Sequence, residues 1–409
     1  MMKLDVLKYL GLAICLATSG SIYAQTPTTD DQEKGEPLLK DVADGKLTDQ
    51  NYAHMELQFN TSGHAIFEDG KYSNGNFSIN GVRMQISGQL TDGLGYMFRQ
   101  SFTKRYDVNS TDNVSMALEK AYVTWNVNDH LQLAIGKQYM EIGGYEYWQT
   151  ANRIRYYSDF NSTVRCAQTG VGAYIKMAPD QTLAVQLLNN SCASETEDVY
   201  TYGFPDMLQK TKTPVMALLG YRGFFNDKTF ALHYGMAYGQ LASNRQQLYL
   251  TAGHVYKRGP VLAYLDLMYA REGIDTKGII SGYSQNYVSD EPDFDFTASM
   301  RTAQHVEYLS TIANFDYRLT PHFNTYIKGI YEIGRVYRDN GIYNRGRYNN
   351  TWSMQACVEY FPIKDRDLRF FLHGVYKKVD LTDLGKKVGG KSSDIMRVSV
   401  GLEYILPVF

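Results

Sequence analysis

Between Thr351 and Lys378 the chain reads TWSMQACVEYFPIKDRDLRFFLHGVYKK, and this stretch decides the fold. Trp352, Met354, Ala356, Val358 and Tyr360 alternate with Ser353, Gln355, Cys357 and Glu359. After the turn KDRD, Leu368, Phe370, Leu372, Gly374 and Tyr376 alternate with Arg369, Phe371, His373 and Lys377. Successive side chains of a strand point to opposite faces, so each segment has one apolar and one polar face. The final segment repeats the pattern, with Met396, Val398, Val400, Leu402, Tyr404 and Leu406 against Arg397, Ser399, Gly401 and Glu403. Segments of this kind run to about ten residues or more, whereas strands of soluble sheets are mostly about five or six. Long strands with one greasy and one wet face predict an all-β, transmembrane antiparallel β-barrel.

The same alternation extends back to about Tyr52, which places a barrel at residues 52–409. Tight turns are expected at 91–93, 128–129, 178–180, 226–227, 258–260, 320–321 and 364–367. Longer polar loops are expected near 61–76, 106–115, 139–165, 191–212, 242–246, 272–303, 338–350 and 380–393. Seven turns and eight loops join 16 strands and put both termini on the short-turn side, the asymmetry of an outer-membrane barrel. Aromatic residues close the apolar faces, among them Tyr96, Trp125, Tyr221, Tyr269, Phe323 and Tyr376, as boundary girdles require. A soluble sandwich also alternates, but it needs neither the strand length nor the girdles.

Composition agrees. The 409 residues include 34 Tyr and 35 Gly against 10 Pro, a strand-rich rather than helix-rich usage. A net charge of −2 gives no global attraction to nucleic acid. Lys3 and Lys8, the apolar run Tyr9–Ala17 and the small residues ending at Ala24-Gln25 predict a signal peptide over 1–24. Ile14 before Cys15 argues against a lipoprotein signal. The acidic stretch 25–51 lacks alternation and is expected to be a periplasmic extension. The chain ends Ile405-Leu-Pro-Val-Phe409, and a terminal aromatic on the last strand is the address expected by the outer-membrane assembly machinery. Pro407 breaks its parity, which a bulge there would restore.

At the passages Ala134–Trp148 (AIGKQYMEIGGYEYW) and Arg153–Ser162 (RIRYYSDFNS) the chain resembles the phosphate-selective porin O and P family in the form common in Bacteroidetes. The start Tyr23-Ala-Gln25 and the strand count agree with it. The resemblance covers the mature chain, although its sharp motifs span only these passages. It implies a 16-stranded outer-membrane porin, commonly a homotrimer, whose inward-folded third loop narrows the pore. Here that loop would be Tyr139 to Arg165, carrying Tyr139, Glu141, Tyr145, Glu146, Arg153, Arg155, Asp159 and Arg165. The family's founding members pass phosphate along basic tracks, but fold alone does not transfer a solute.

Strand parity addresses the solute directly. With the greasier face turned to lipid, the interior receives Arg83, Arg99, Arg105, Lys120, Lys176, Arg222, Arg318, Lys328, Arg369, Lys377 and Arg397. The interior acids are Glu56, Asp266, Asp316, Glu332, Glu359 and Glu403. That surplus of cations would favour small anions such as phosphate, because low-dielectric walls focus the field. Mixed charge that braces the wall by ion pairs would equally suit a general porin.

Other chemistry is thin. Three cysteines remain after processing, without a metal-binding spacing. Cys166 and Cys192 fall at similar heights on neighbouring strands and are candidates for a structural disulfide; Cys357 reads as a small packing residue. No metal or cofactor is expected. The acidic run Ser289–Phe296 lacks a calcium-loop spacing and reads as a solvated loop. A barrel hydrolase would need Ser, His and acid at one height, and only His233 and His373 face inward at mid-strand. A surface-binding barrel acting through the loop 272–303 remains open beside passive transport of small hydrophilic solutes.

Overall fold

The protein, described from a computed structural model, is a closed antiparallel barrel of sixteen strands with each strand paired to its neighbours in sequence. Residues 53–91, 93–103, 117–149, 153–193, 200–287, 298–364 and 366–408 are described. The signal peptide, the extension, Arg105, the run Ser289–Phe296 and Phe409 lie outside them.

The first eight strands are β1 (His54–Glu68), β2 (Lys71–Thr91), β3 (Leu94–Ser101), β4 (Leu118–Asn128), β5 (Leu131–Tyr139), β6 (Ala167–Ala178), β7 (Gln181–Asn189) and β8 (Val215–Phe225). The rest are β9 (Phe230–Ala242), β10 (Arg245–Arg258), β11 (Val261–Ile274), β12 (Gln304–Thr320), β13 (Phe323–Val336), β14 (Gly346–Tyr360), β15 (Asp367–Leu381) and β16 (Ser393–Pro407). β1 pairs β16 from Glu56↔Pro407 to Glu68↔Ile395, which closes the cylinder and leaves no bulge at Pro407. Closure pairs the backbone groups of the wall, as a strand crossing lipid requires. No helix among the described residues is long and apolar enough to cross a membrane.

The apolar face of each strand points outward. Val123, Ile135, Val171, Leu219, Leu267, Ile327, Met354 and Val400 all stand in the open on the barrel exterior. A belt of such side chains would be costly in water at about 25 cal/mol per Å² and is at home in lipid. The polar face turns inward and is largely covered: Gln58, Asn60, Gln186, Ser310, Gln355 and His373 are all buried.

Two expected loops are instead tight hairpins. The stretch 61–76 continues β1 through Asp69-Gly70 into β2, both turn residues holding positive φ (48° and 76°). Asp-Gly between alternating segments is the usual signal of such a turn, here set among Ser, Asn and Gly residues that have the composition of a loop. The stretch 242–246 is likewise a two-residue turn, Ser243-Asn244. β2 pairs β3 only from Arg83 onward, so its first half pairs with β1 alone.

The segment from Met140 to Cys166 joins β5 to β6 and contains two short helices, α1 (Tyr145–Trp148) and α2 (Asp159–Thr163). Its side chains and backbone touch the inward faces of β7, β8, β10, β11 and β13 to β16, so it lies within the cylinder. Above it, on the side of the long loops, α3 (Ile279–Tyr283) and α4 (Asp383–Lys387) cover part of the mouth. Ile280, Tyr308, Tyr343, Tyr348 and Val388 form one apolar cluster with Tyr147 and Phe160 of the inner segment.

The expected disulfide is absent: Cys166 and Cys192 are thiols. The register of β6 and β7 is the one that would face them, but the ladder ends at Gly170↔Leu188. Beyond Asn189 the chain turns into a 3₁₀ helix, Ser191–Ala193, which buries Cys192 against Tyr200, Leu241 and Ile274. Cys166 packs instead beside the cluster around Tyr147.

Candidate functional site

The inner segment begins in a trough made by missing side chains. Gly220 on β8, Gly235 on β9 and Gly253 on β10 all face inward. A Cβ on Gly220 would stand 2.7 Å from Glu141 Cβ, one on Gly235 2.6 Å from Ile142 Cα, and one on Gly253 2.5 Å from Gly144 Cα. Backbone therefore seats directly on backbone. Its amides are taken up by side chains of the wall, since buried N–H groups need partners. Gln186 Oε1 accepts from Glu141 N (2.8 Å), and Thr251 Oγ1 accepts from Gly143 N (2.8 Å). Asp266 accepts from Tyr145 N and Glu146 N, both at 2.8 Å, at the start of α1. Glu332 does the same for Asp159 N (2.9 Å) and Phe160 N (3.0 Å) at the start of α2.

Ion pairs fasten the rest. Arg222 reaches Glu141 at 3.0 Å, Lys328 reaches Glu146 at 2.8 Å, and Lys377 meets Asp159 at 2.6 Å. Lys328 also donates to Tyr156 O at 2.7 Å. Arg155 inserts between Glu359 and Glu403, 2.6 Å from each, with its guanidinium 4.2 Å from the Phe371 ring centre. Arg369 stands against the same two carboxylates at 3.3 and 3.9 Å. The inner segment is itself in part cationic: burial works against the Arg155 guanidinium's charge, and Glu403 and Glu359 beside it more than offset that cost.

Most interior charge on β8 and β11 to β16 is therefore engaged with the inner segment. Of the other cations, Arg318 stacks on Phe361 (3.8 Å) and donates to Pro321 O, while Asp316 accepts from Asn324. Lys176 is exposed near the short-turn end, and Arg397 donates to Ser399 Oγ at 3.2 Å. Glu56 accepts from Gln85. Within the inner segment Arg153 is exposed and Arg165 half-buried.

The opposite wall is different. Arg83 on β2 and Arg99 on β3 both turn to Glu119 on β4, at 3.2 and 3.0 Å. Lys120 lies opposite Arg99 in register, with its ammonium 4.2 Å from the Tyr139 ring centre. Arg83 Nη1 is buried and has no hydrogen-bond partner among the described residues. Among the described residues, three cations thus gather beside the Glu119 carboxylate. Alternation alone hides Glu119, because it is adjacent to inward-facing Lys120. A register shift between Arg99 and Gln100 lets both turn in, and no residue type marks that bulge in the sequence.

His373 faces Ser399 in register, but its Nε2 finds no hydrogen-bond partner among the described residues, nor does either nitrogen of His233. Among the described residues no three His, Cys, Asp or Glu side chains are grouped to hold a metal ion.

Residues 54–405 match the model of a family described as phosphate-selective porin O and P. Among solved structures, the outer membrane channel DcaP of Acinetobacter baumannii superposes with a TM-score of 0.58 at 12% identity, covering 86% of this chain and 96% of that one. The anion-selective porin from Comamonas acidovorans gives 0.52 at 10% identity, over 86% and 99%. The outer-membrane-expressed OmpT of Vibrio cholerae gives 0.50 at 13% identity, over 86% and 97%. No curated protein matches. Likeness at these identities is one of fold. The family match spans the barrel from its first strand to its last, and on that ground the chain belongs to the phosphate-selective porin O and P family and is an outer-membrane channel.

Proposed function

We propose that the channel passes small hydrophilic solutes by passive diffusion, prefers anions, and takes phosphate among them. The observation carrying this reading is the cluster of Arg83, Arg99 and Lys120 beside the Glu119 carboxylate among the described residues. Arg222, Lys328, Lys377 and Arg369 are matched by carboxylates in or beside the inner segment and add little field, while Lys176, Arg318 and Arg397 stand apart from one another. Among the described residues of the β2–β4 wall the surplus is local, and a low-dielectric surround strengthens its pull on an anion. Lys120, half-buried with its ammonium over a ring, is the group set to meet a solute, and Arg83, whose buried Nη1 has no hydrogen-bond partner among the described residues, adds its charge behind it. The inner segment, Tyr139 to Arg165, would act as the constriction. Passage down a gradient requires no chemical step and no cofactor. A homotrimer embedded in outer-membrane lipid, delivered by the assembly machinery, belongs to the same proposal.

The test is the reversal potential of the purified protein in a planar bilayer under a salt gradient. An anion-directed potential that collapses toward zero in an R83Q/K120Q variant supports the reading. A cation-directed potential in the wild type, or one unmoved by the double variant, rejects it. Adding phosphate at constant ionic strength then separates phosphate uptake from general anion passage: a competitive fall in chloride current is expected. Chemical cross-linking in detergent reads the oligomer, with trimers expected and monomers alone rejecting that part.

A further inference from the structure

On the outer surface, at the end of the long loops, a second group of charges faces away from the lumen. Arg271 of β11, Glu307 of β12 and Arg335 of β13 are neighbours in register, and their alternation partners Tyr308 and Glu332 point inward. Arg271 Nε lies 3.7 Å and Arg335 Nε 2.8 Å from Glu307. Both arginine side chains remain 51% exposed although paired. The Arg271 guanidinium stacks 4.1 Å from the ring centre of Tyr337. Arg245 and Arg338 stand within electrostatic reach of the same place, both acting with Arg271 on His305, whose ring is 5.2 Å from Tyr337. Arg245 is steered by Gln304 (2.7 Å), and nearby Asp339 is occupied by the backbone amide of Arg345. Among the described residues, two guanidinium groups thus flank the Glu307 carboxylate and two more stand near His305 beside it.

The height of this cluster identifies what it faces. Tyr269, in the aromatic girdle, donates its hydroxyl to Glu307 at 3.0 Å. Leu309, two residues further along β12, and Leu267 are exposed on the lipid face. Two residues of strand are about 7 Å, so the arginines sit just above the apolar belt, at the level of lipid headgroups. Exposed guanidinium groups on a fixed β surface match phosphate in a bidentate way, and stacking on Tyr337 holds one of them flat.

We propose that Arg271, Arg335 and Arg338, with Arg245 behind them, form a binding site on the barrel exterior for the phosphorylated headgroup of an outer-leaflet lipid. Glu307 orders the two flanking arginines and limits their charge, leaving a net positive seat. The site lies on the outer surface, separate from solute passage.

The test uses the full-length protein in detergent micelles, probed with a phosphorylated glucosamine-based lipid, its dephosphorylated counterpart and inorganic phosphate. Lipid retained per barrel is read by native mass spectrometry. We expect retention of the phosphorylated lipid, little of the dephosphorylated one, and a fall of ~10-fold in affinity for R271Q/R335Q. E307Q, which removes the opposing charge, should tighten binding. Unchanged retention in the double variant overturns the proposal, as does equal retention of both lipids. Displacement of the lipid by inorganic phosphate at equal concentration would mean a site for free anions and also overturns it. So would protection of Arg271 and Arg335 from an arginine-modifying reagent in the lipid-free oligomer, since a second copy would then occupy the surface. Conductance of each variant, expected unchanged, shows that the barrel is folded.

Discussion

Arg155, carried by the inner segment, places one guanidinium nitrogen 2.6 Å from Glu359 of β14 and 2.6 Å from Glu403 of β16. All three side chains are almost fully buried. Removing one partner of such a group leaves uncompensated charge, which costs about 3–5 kcal/mol. R155A should therefore lower barrel stability by about that amount, read as an earlier thermal transition in detergent. It should also add current noise in single channels as the segment loosens. An R155A protein with wild-type stability and quiet current would show that the trough and amide contacts alone hold the segment.

The glycine trough predicts a different failure. At Gly253 any side chain meets the backbone of Gly144 at 2.5 Å, so one of the two must shift. G253L should displace the segment without touching its ion pairs, so single-channel conductance should change by a discrete step. G374L is the control, because nothing lies within 4 Å of a Cβ there. Equal conductance in the two variants would count against direct seating.

Glu119 sets how positive the β2–β4 wall is. E119Q removes the carboxylate shared by Arg83 and Arg99 and should raise the anion-to-cation permeability ratio by several-fold, while loosening both arginines. Reversal potentials in the variant and wild type decide it. A fall in the ratio would mean that ordering the arginines matters more than their net charge.

Lys277, in the loop after β11, gives a pH signature. Its ammonium is buried 3.7 Å from Glu272 and between the rings of Phe160 (4.1 Å) and Tyr249 (4.7 Å). Burial holds its pKa below the ordinary 10.5, with Glu272 pulling the other way. Between that lowered value and 10.5 the unfolded loop binds more protons than the folded one, so folding of the loop gains stability as pH rises through this window. Hydrogen exchange of residues 275–287, corrected for intrinsic rates, should slow accordingly. The effect should vanish in K277M, and persistence there would assign it to another group.

Much of the barrel was legible because its cause is local. Period-two alternation sets the facing of each strand, and at the level of the apolar belt lipid outside leaves charged residues no cheaper place than the interior. Arg369 and Lys377 needed nothing more than that count. Features depending on backbone departures were not legible: the bulge that turns Glu119 inward, and the early end of the β6–β7 ladder that parts Cys166 from Cys192. The Asp69-Gly70 turn was readable in principle, but a polar neighbourhood outweighed it. The partners of Arg155 lie more than two hundred residues away and emerge only on closure. Parity could give the sign of each interior residue but not its employment, and most of the cations turned out to be occupied.

A seat formed by Gly220, Gly235 and Gly253 has an asymmetric relation to change. Nothing smaller than hydrogen exists, so no substitution can deepen it, and every alternative residue can only fill it. Variation in how wide or how charged the passage is must then come from elsewhere: from the side chains along the far wall, which can be exchanged without unseating the segment that faces them.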